Sequence, residues 1–345
     1  MRESRRLEPH RVLAVSLLFT CQAGFERLLS REIEGAGLTA AEAGRGWLRV
    51  EGSASLKEAD WCFAHRACPL YAEIRAGSVN ALANALAEHF EEHARGERFE
   101  APWPLVVFAA ADLEGLGRRA ANVETALRQR LQKRMARVAR LATAALPRMG
   151  FRRAVFAPLI DFDRACIGFE AWLGGQRRMA DDPAAPSRSF LKAEEAYGLI
   201  GREPVSGELV ADLGAAPGGW SYSAARRGAR VLAVDNGPLR GAAQSHAAIE
   251  HRRADAFGFR PRRGDCYDWL FCDMVEDPYR VLSEILAMWI EAGWCRRFVV
   301  NLKFGRTEPL ALLAAVRSRL QPRCERFVVR HLFHDREEIT LAGTL

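Results

Sequence analysis

The residue types best able to do chemistry gather around one stretch, Val210-Ala211-Asp212-Leu213-Gly214-Ala215-Ala216-Pro217-Gly218-Gly219-Trp220. An apolar run ends in Asp-Leu-Gly and a Pro-Gly-Gly turn opens the next segment, a pattern of strand, tight turn and helix. Glycines at such a turn let a ligand lie against bare backbone at a helix N-terminus. A second apolar run, Val231-Leu232-Ala233-Val234, ends in Asp235. A carboxylate about 20 residues after the first glycine is where a nucleotide-binding fold places its acceptor for ribose hydroxyls. The pairing points to an adenosine-containing cofactor. The turn lacks the middle glycine of G-x-G-x-x-G that admits a pyrophosphate, so a cofactor without that group, such as S-adenosylmethionine, fits better.

Asp255 and Asp273 close the next two runs, so three successive strands are expected to end in a carboxylate. One Asp at a strand end is ordinarily a turn or cap residue. Three beside a glycine turn mark the carboxyl edge of an open parallel sheet, where ligands bind. Lys303 closes the following run, Arg297-Phe298-Val299-Val300-Asn301-Leu302-Lys303, on the same edge, and is the candidate base. Singly, Lys303 also reads as a surface lysine, Lys192 as a solvated helix lysine and Glu338 as an edge-strand charge. A lysine at its ordinary pKa is a poor base at neutral pH. A neighbouring lysine lowers that pKa and neighbouring carboxylates raise it, so the net sign is not legible from sequence.

These residues need a sheet to hold them. Strands are expected over 209–213, 230–235, 250–254, 268–273, 297–303, 325–333 and 338–342, with helices after the first five. That alternation is an α/β, mostly parallel, doubly wound sheet. Asp277-Pro278 reads as an N-cap followed by proline at N1, and Gly293 as the end of that helix. A Pro- and Asp-rich break at 180–187 sets the boundary between a first region, 1–185, and a second, 186–345. The first region reads as α+β, with helices over 25–33, 81–94 and 123–146 and strands over 47–50, 105–110, 153–158 and 166–173. Within a helical stretch from 118 to 140, Arg130, Lys133, Arg134 and Arg137 recur at three- and four-residue spacing and share one face. That face is either merely solvated or a footprint for an RNA backbone. Arg2, Arg5, Arg6 and Arg11 precede an apolar run at 12–19, as in a short signal peptide, but no small-x-small site follows and a buried first strand is expected.

The chain has 345 residues, enough for two domains, and 49% apolar residues, enough for a core. Its net charge of +7 favours a polyanionic partner. Its eight cysteines stand singly, without CxxC pairs or zinc-ligand spacing, which suits a reducing cytoplasm and gives no metal site. No apolar run approaches the roughly 20 residues needed to span a membrane.

Lys192, Asp273, Lys303 and Glu338, in that order around the glycine turn, resemble the Lys-Asp-Lys-Glu tetrad of FtsJ-like RNA ribose 2′-O-methyltransferases. Cys21-Gln22-Ala23-Gly24-Phe25-Glu26, Pro186-Ser187-Arg188-Ser189, Ala216-Pro217-Gly218-Gly219-Trp220, Val234-Asp235-Asn236-Gly237-Pro238, Cys272-Asp273-Met274-Val275-Glu276 and His334-Asp335-Arg336-Glu337-Glu338 extend the likeness. It is strong from Ser187 to Glu338 and weaker before. The members most similar in pattern act on a cytidine of 23S rRNA. They join an N-terminal RNA-binding region, ferredoxin-like plus THUMP, to a Rossmann-like class I methyltransferase domain with a seven-stranded sheet. The resemblance implies that Ser189, Ala216, Pro217, Gly218, Gly219, Asp235, Asp255 and Asp273 contact S-adenosylmethionine, with Lys192, Asp273, Lys303 and Glu338 catalytic and Lys303 the proton acceptor. It implies 23S rRNA, before full assembly, as partner of a cytoplasmic monomer. Ala216 departs from the pattern, where Cys is usual, a small-for-small change. Glu337 is an alternative to Glu338.

Three other functions are weighed. An amino-group base methyltransferase carries Asn/Asp-Pro-Pro-aromatic at the fourth strand end, whereas this chain has Cys272-Asp273-Met274-Val275, and a helix cap accounts for Asp277-Pro278-Tyr279. A carbon-5 enzyme needs a cysteine at the edge, but Cys272 should face away from the side that Asp273 takes. A dehydrogenase lacks its full fingerprint here. A non-catalytic RNA-binding module has no need of all four tetrad residues.

Overall fold

Along strand Arg66–Arg75, buried and half-exposed positions alternate, as in a sheet covered mainly on one face. The structure, a computed structural model, describes residues 12–52, 54–145 and 149–345, and the chain divides into two units, Met1–Gly174 and Gly175–Leu345.

In the first unit the elements run β1 (Val12–Thr20), α1 (Glu26–Glu34), β2 (Thr39–Gly44), β3 (Trp47–Glu51), β4 (Arg66–Arg75), α2 (Val79–His93), β5 (Trp103–Ala109), α3 (Leu116–Arg134), α4 (Ala136–Ala139), β6 (Ala142–Thr143), β7 (Gly150–Leu159) and β8 (Arg164–Leu173). They form one eight-stranded sheet in the order β2-β3-β1-β4-β8-β7-β5-β6. Leu82, Leu86 and Phe90 of α2 and Val123, Leu127 and Leu131 of α3 pack with Leu105, Val155 and Leu159 of the sheet into the main core.

Several expectations are corrected here. Strands β2 and β4 were not expected: Thr-Ala-Ala-Glu-Ala-Gly has little apolar signal, and β4 carries Pro69. The helix expected over 123–146 ends at Arg134, where Met135 leaves helical backbone at φ −138° and ψ 53°. Ala142–Thr143 then pairs with β5, a tertiary pairing that overrides local helix propensity; Leu146 lies outside the described residues. The basic row is therefore not one helix face. Arg137 falls beyond the break, Arg130 donates to Asn80 Oδ1 at 3.1 Å, and Arg134 pairs with Glu91 at 3.2 Å. The apolar run 12–19 lies in β1, while Arg2, Arg5, Arg6 and Arg11 lie outside the described residues.

The second unit is built on apolar strands such as Leu-Val-Ala-Asp-Leu and Trp-Leu-Phe-Cys, the composition of a sheet buried on both faces. Its strands are β9 (Leu209–Leu213), β10 (Arg230–Val234), β11 (Ile249–Arg252), β12 (Trp269–Cys272), β13 (Arg297–Lys303), β14 (Arg326–Arg330) and β15 (Glu338–Thr344). The order is β11-β10-β9-β12-β13-β15-β14, with β9 to β13 parallel and β15 antiparallel to both its neighbours. The order reverses between β9 and β12, the switch point outside which an α/β sheet binds its ligand. Helices α5 (Phe190–Ile200) and α6 (Gly219–Ala225) bear on that edge. No helix follows β11: residues 253–266 are turns and irregular chain, in which Asp255 Oδ1 accepts from Phe257 N at 3.0 Å.

The division at Gly174–Gly175 precedes the Pro- and Asp-rich break at 180–187 on which the sequence boundary rested. Hydrogen bonds explain the difference. Arg177 N donates to Glu195 Oε1 at 3.0 Å, Met179 N to His334 Nε2 at 2.8 Å, and the Tyr222 hydroxyl to Asp182 Oδ2 at 3.0 Å. Composition marks this strap as a linker, but its polar groups are satisfied inside the second unit. Among the described residues no helix is long and apolar enough to cross a membrane.

Candidate active site

The glycine turn leaves β9 through Gly214, at φ +75°, where a Cβ would stand 2.0 Å from Met274 Cγ. Asp235, one residue past β10, closes the turn: its Oδ2 accepts from Ala216 N at 2.9 Å and its Oδ1 from Gly237 N at 2.6 Å. Gly218, at φ +109°, packs so closely that a Cβ would fall 2.5 Å from Ala243 Cβ. Gly219 opens α6 against the strap, and a Cβ there would lie 2.6 Å from Ser187 Oγ and 3.0 Å from Ser189 Oγ. Those two hydroxyls are 2.8 Å apart, and Trp220 Nε1 donates to Ser189 O at 2.9 Å. Beneath the turn, burial pushes the Asp212 carboxyl up to about 7 although Ser221 Oγ donates to it at 2.6 Å.

A cavity of about 290 Å³ opens at this edge, lined among others by Gly214, Ala216, Asp235, Asp255, Asp273 and Met274. Of the cofactor residues expected from sequence, Ala216, Asp235, Asp255 and Asp273 line it. Ser189, Pro217, Gly218 and Gly219 do not; they form the turn and the segment packed behind it. Asn236, Phe257, Met274 and Glu276 also line it and were missed. Their signal was positional: all lie past the carboxyl ends of β10, β11 or β12, the edge at which an open parallel sheet binds its ligand. With Asp235, Asp255, Asp273 and Glu276 on its wall, the cavity suits a cationic ligand, and the crowded glycines keep backbone open to an adenosine group.

The four polar residues expected at the reacting centre come together beside Asp273. Lys192 lies on α5, a helix buried on all sides, and donates to Asp273 Oδ1 at 2.9 Å and to Glu338 Oε1 at 3.1 Å. Lys303 and Glu338 are register partners across antiparallel β13 and β15, so their side chains meet on one face. Lys303 Nζ donates to Glu338 Oε2 at 2.5 Å, to Asn301 Oδ1 at 2.9 Å and, in a still shorter contact, to Asp273 Oδ1. Glu337, the alternative, is exposed, whereas Glu338 is buried.

Electrostatics fix the resting charges. Burial pulls the Lys303 ammonium down, but Asp273 and Glu338 outweigh it and leave the pKa above the ordinary lysine value. Burial pushes Glu338 up, but Lys192 and Lys303 outweigh it and hold the carboxyl below its usual range. Two ammonium groups thus face two carboxylates, a neutral cluster in which neither charge sign is left uncompensated. Asp273 serves both places, since it lines the cavity and binds both lysines. Cys272 is fully buried and its thiol is pushed up to about 12 by burial, so it is inert as a nucleophile. Among the described residues no group of three or more His, Cys, Asp and Glu is placed to hold a metal ion.

A doubly wound sheet with an acid-lined cavity at its switch point and a Lys-Asp-Lys-Glu cluster beside it defines an FtsJ-like class I methyltransferase. Residues 185–290 match the FtsJ-like methyltransferase family. The whole chain is 34% identical to the ribosomal RNA large subunit methyltransferase M of Alkalilimnicola ehrlichii, covering 95% of this chain and 94% of that protein. It is 32% identical to the protein of that name from Thauera aminoaromatica, covering 95% and 96%. The chain belongs to the ribosomal RNA large subunit methyltransferase M family. Its methyl donor is S-adenosylmethionine. Among solved structures, TrmN from Thermus thermophilus is 17% identical with a TM-score of 0.36, covering 96% of this chain and all of that one, at 100%.

Proposed function

We propose that this protein transfers a methyl group to the ribose 2′-hydroxyl of a cytidine in 23S rRNA, with Lys303 as the proton acceptor. The observation that carries the reading is the convergence of Lys192, Asp273, Lys303 and Glu338 on the rim of the acid-lined cavity. When bound, S-adenosylmethionine supplies an activated methyl carbon on a cationic sulfur.

The protein's share is to place the hydroxyl in line with that carbon and take its proton. Asp235 and the Ala216 turn hold the adenosine end, where each Asp235 oxygen keeps a second lone pair for a ribose hydroxyl. Lys303 rests as an ammonium with no lone pair, so it loses a proton before it can accept one. Asp273 and Glu338 are also bound to Lys192, which leaves each of them a cationic partner while Lys303 is an amine. In the transfer the oxygen–carbon bond forms, the carbon–sulfur bond breaks, and the hydroxyl proton passes to Nζ of Lys303.

We assign RNA binding to the first unit as a ferredoxin-like plus THUMP region; the chain's net charge of +7 supports a polyanionic partner. We place the reaction in the cytoplasm, on rRNA before subunit assembly is complete, with the protein acting as a monomer. The direct test maps 2′-O-methyl marks in the large-subunit rRNA of cells with and without this protein, then incubates purified protein with naked rRNA and with assembled subunits. Loss of one cytidine mark, restored preferentially on naked rRNA, is the expected result. An unchanged ribose pattern with a missing base mark would sink the reading.

A further inference from the structure

The mechanism uses four residues, yet the base also touches a fifth, Asn301. We propose that Asn301 is a positioning residue for Lys303, a fixed, uncharged third acceptor that obliges the incoming hydroxyl to take the place of a carboxylate. The inference rests on the reading of Lys303 as proton acceptor.

An ammonium carries three N–H donors. Those of Lys303 meet three acceptors, Asp273 Oδ1, Glu338 Oε2 and Asn301 Oδ1. The fourth direction at Nζ is its own carbon, so a substrate hydroxyl finds no vacant position and must replace one of the three. Asn301 cannot be the one that turns away. Its Nδ2 donates to Asp335 Oδ1 at 3.1 Å and to Thr340 Oγ1 at 2.9 Å, which uses both amide protons. Thr340 Oγ1 in turn donates to Asp335, and Asp335 Oδ2 accepts from Leu332 N at 2.9 Å. Asn301, Thr340 and Asp335 are all buried, at 0%, 0% and 1% exposure, so water offers no substitute partners.

Proton counting fixes the orientation of the amide. A flipped Asn301 would aim its NH₂ at the Lys303 ammonium, donor against donor, so the amide oxygen faces Nζ. The sheet explains why the parts meet. Asn301 and Thr340 are register partners two residues along from Lys303 and Glu338, so both pairs project from one face of the β13–β15 ladder. The exchange therefore falls on Asp273 or Glu338, the two groups that Lys192 still holds when they release Lys303.

The residue type follows as well. Among the described residues the charged or titratable groups around Lys303 include Asp273 at the end of β12, the buried Cys272 thiol before it, Glu338 on β15, Lys192 on α5 behind both, and, beyond Asn301, Asp335, whose carboxyl burial pushes well above its usual range. A third carboxylate in direct contact would bind the ammonium more tightly and oppose its deprotonation. An amide aims the third N–H without adding charge.

The test compares kcat, its pH dependence and S-adenosylmethionine affinity for wild type, Asn301→Leu, Asn301→Asp and Thr340→Val. Asn301→Leu is expected to lower kcat about 10- to 100-fold with cofactor affinity unchanged. Asn301→Asp is expected to move the rising limb of the kcat profile upward by about one pH unit or more. Thr340→Val, which adds no charge, is expected to lower kcat without moving the limb. Wild-type kcat and pH profile in both Asn301 variants would overturn the proposal, as would equal loss of cofactor binding and turnover in Asn301→Leu. Should Asn301→Asp fail to fold beside Asp335, Thr340→Val decides, and wild-type turnover in it overturns the proposal. Lys303→Ala, run in parallel, separates the two levels: turnover retained there sinks the assignment of the base itself, whatever Asn301 does.

Discussion

Lys192 and Lys303 bind the same oxygen of Asp273, one from the helix that precedes β9 and its glycine turn and the other from the end of a central strand. The sharing gives the two lysines different parts. Lys192 is more deeply buried, with 7% of its side chain exposed against 20% for Lys303. Lys192 stays paired with both carboxylates, and Lys303, nearer the surface, can meet a substrate.

Replacing Lys303 by Ala should therefore separate binding from chemistry. Turnover should fall by at least about 100-fold, the usual weight of a positioned base. S-adenosylmethionine affinity by calorimetry should stay near wild type, because Lys192 still compensates Asp273. A matching fall in both quantities would remove Lys303 from the role of base.

Glu338 gives a pH-dependent stability. Its folded pKa lies below the ordinary 4.5, so its contribution is present above pH 4.5 and is lost as pH falls through the lower folded value. Glu338→Gln takes one carboxylate from Lys192, which is buried, and from Lys303, which is half-buried, and should cost about 3 kcal/mol at pH 7. Thermal melting across pH should show the gap between variant and wild type closing below pH 4.5. A gap independent of pH would mean that Glu338 acts through shape and not charge.

Gly219 is tight for a steric reason alone, since its backbone is not in the left-handed region. A methyl group there meets Ser187 Oγ at 2.6 Å and Phe190 N at 3.2 Å. Gly219→Ala should destabilise the second unit by about 1–3 kcal/mol, the usual cost of overpacking. It should also weaken cofactor binding by displacing the strap from the turn. Unchanged melting temperature and affinity would show that the strap yields freely.

The strap also makes the domain boundary testable. A fragment of residues 175–345 should fold and bind S-adenosylmethionine but methylate rRNA poorly, if the first unit supplies RNA affinity. A fragment starting at residue 186 lacks the Arg177 and Met179 donors to Glu195 and His334 and should melt at lower temperature. Equal stability of the two would return the boundary to the Pro- and Asp-rich break, and full activity of either would remove the first unit from catalysis on RNA.

By itself the sequence determined the second unit's seven strands, most of their bounds to within two residues, and the polar residues at their ends; β14 stops three residues early and the helix expected after β11 is absent. Gly214, Asp235, Asp273 and Lys303 were legible because parallel strands are continuous apolar runs whose ends are marked by sharp changes to polar residues. Lys192 and Glu338 were legible only through resemblance, since a lone charge beside an apolar run looks alike whether it is solvated or paired. Strands β2 and β4, the break at Met135 and the membership of the strap were decided by pairing with distant chain, which local pattern does not encode. The place of Asn301 was decided in the same way. In the sequence it is one polar residue inside an apolar strand. Only the β13–β15 register sets it against Thr340 and Asp335 and aims its oxygen at Lys303, because side-chain direction in a sheet is fixed by which strands lie together.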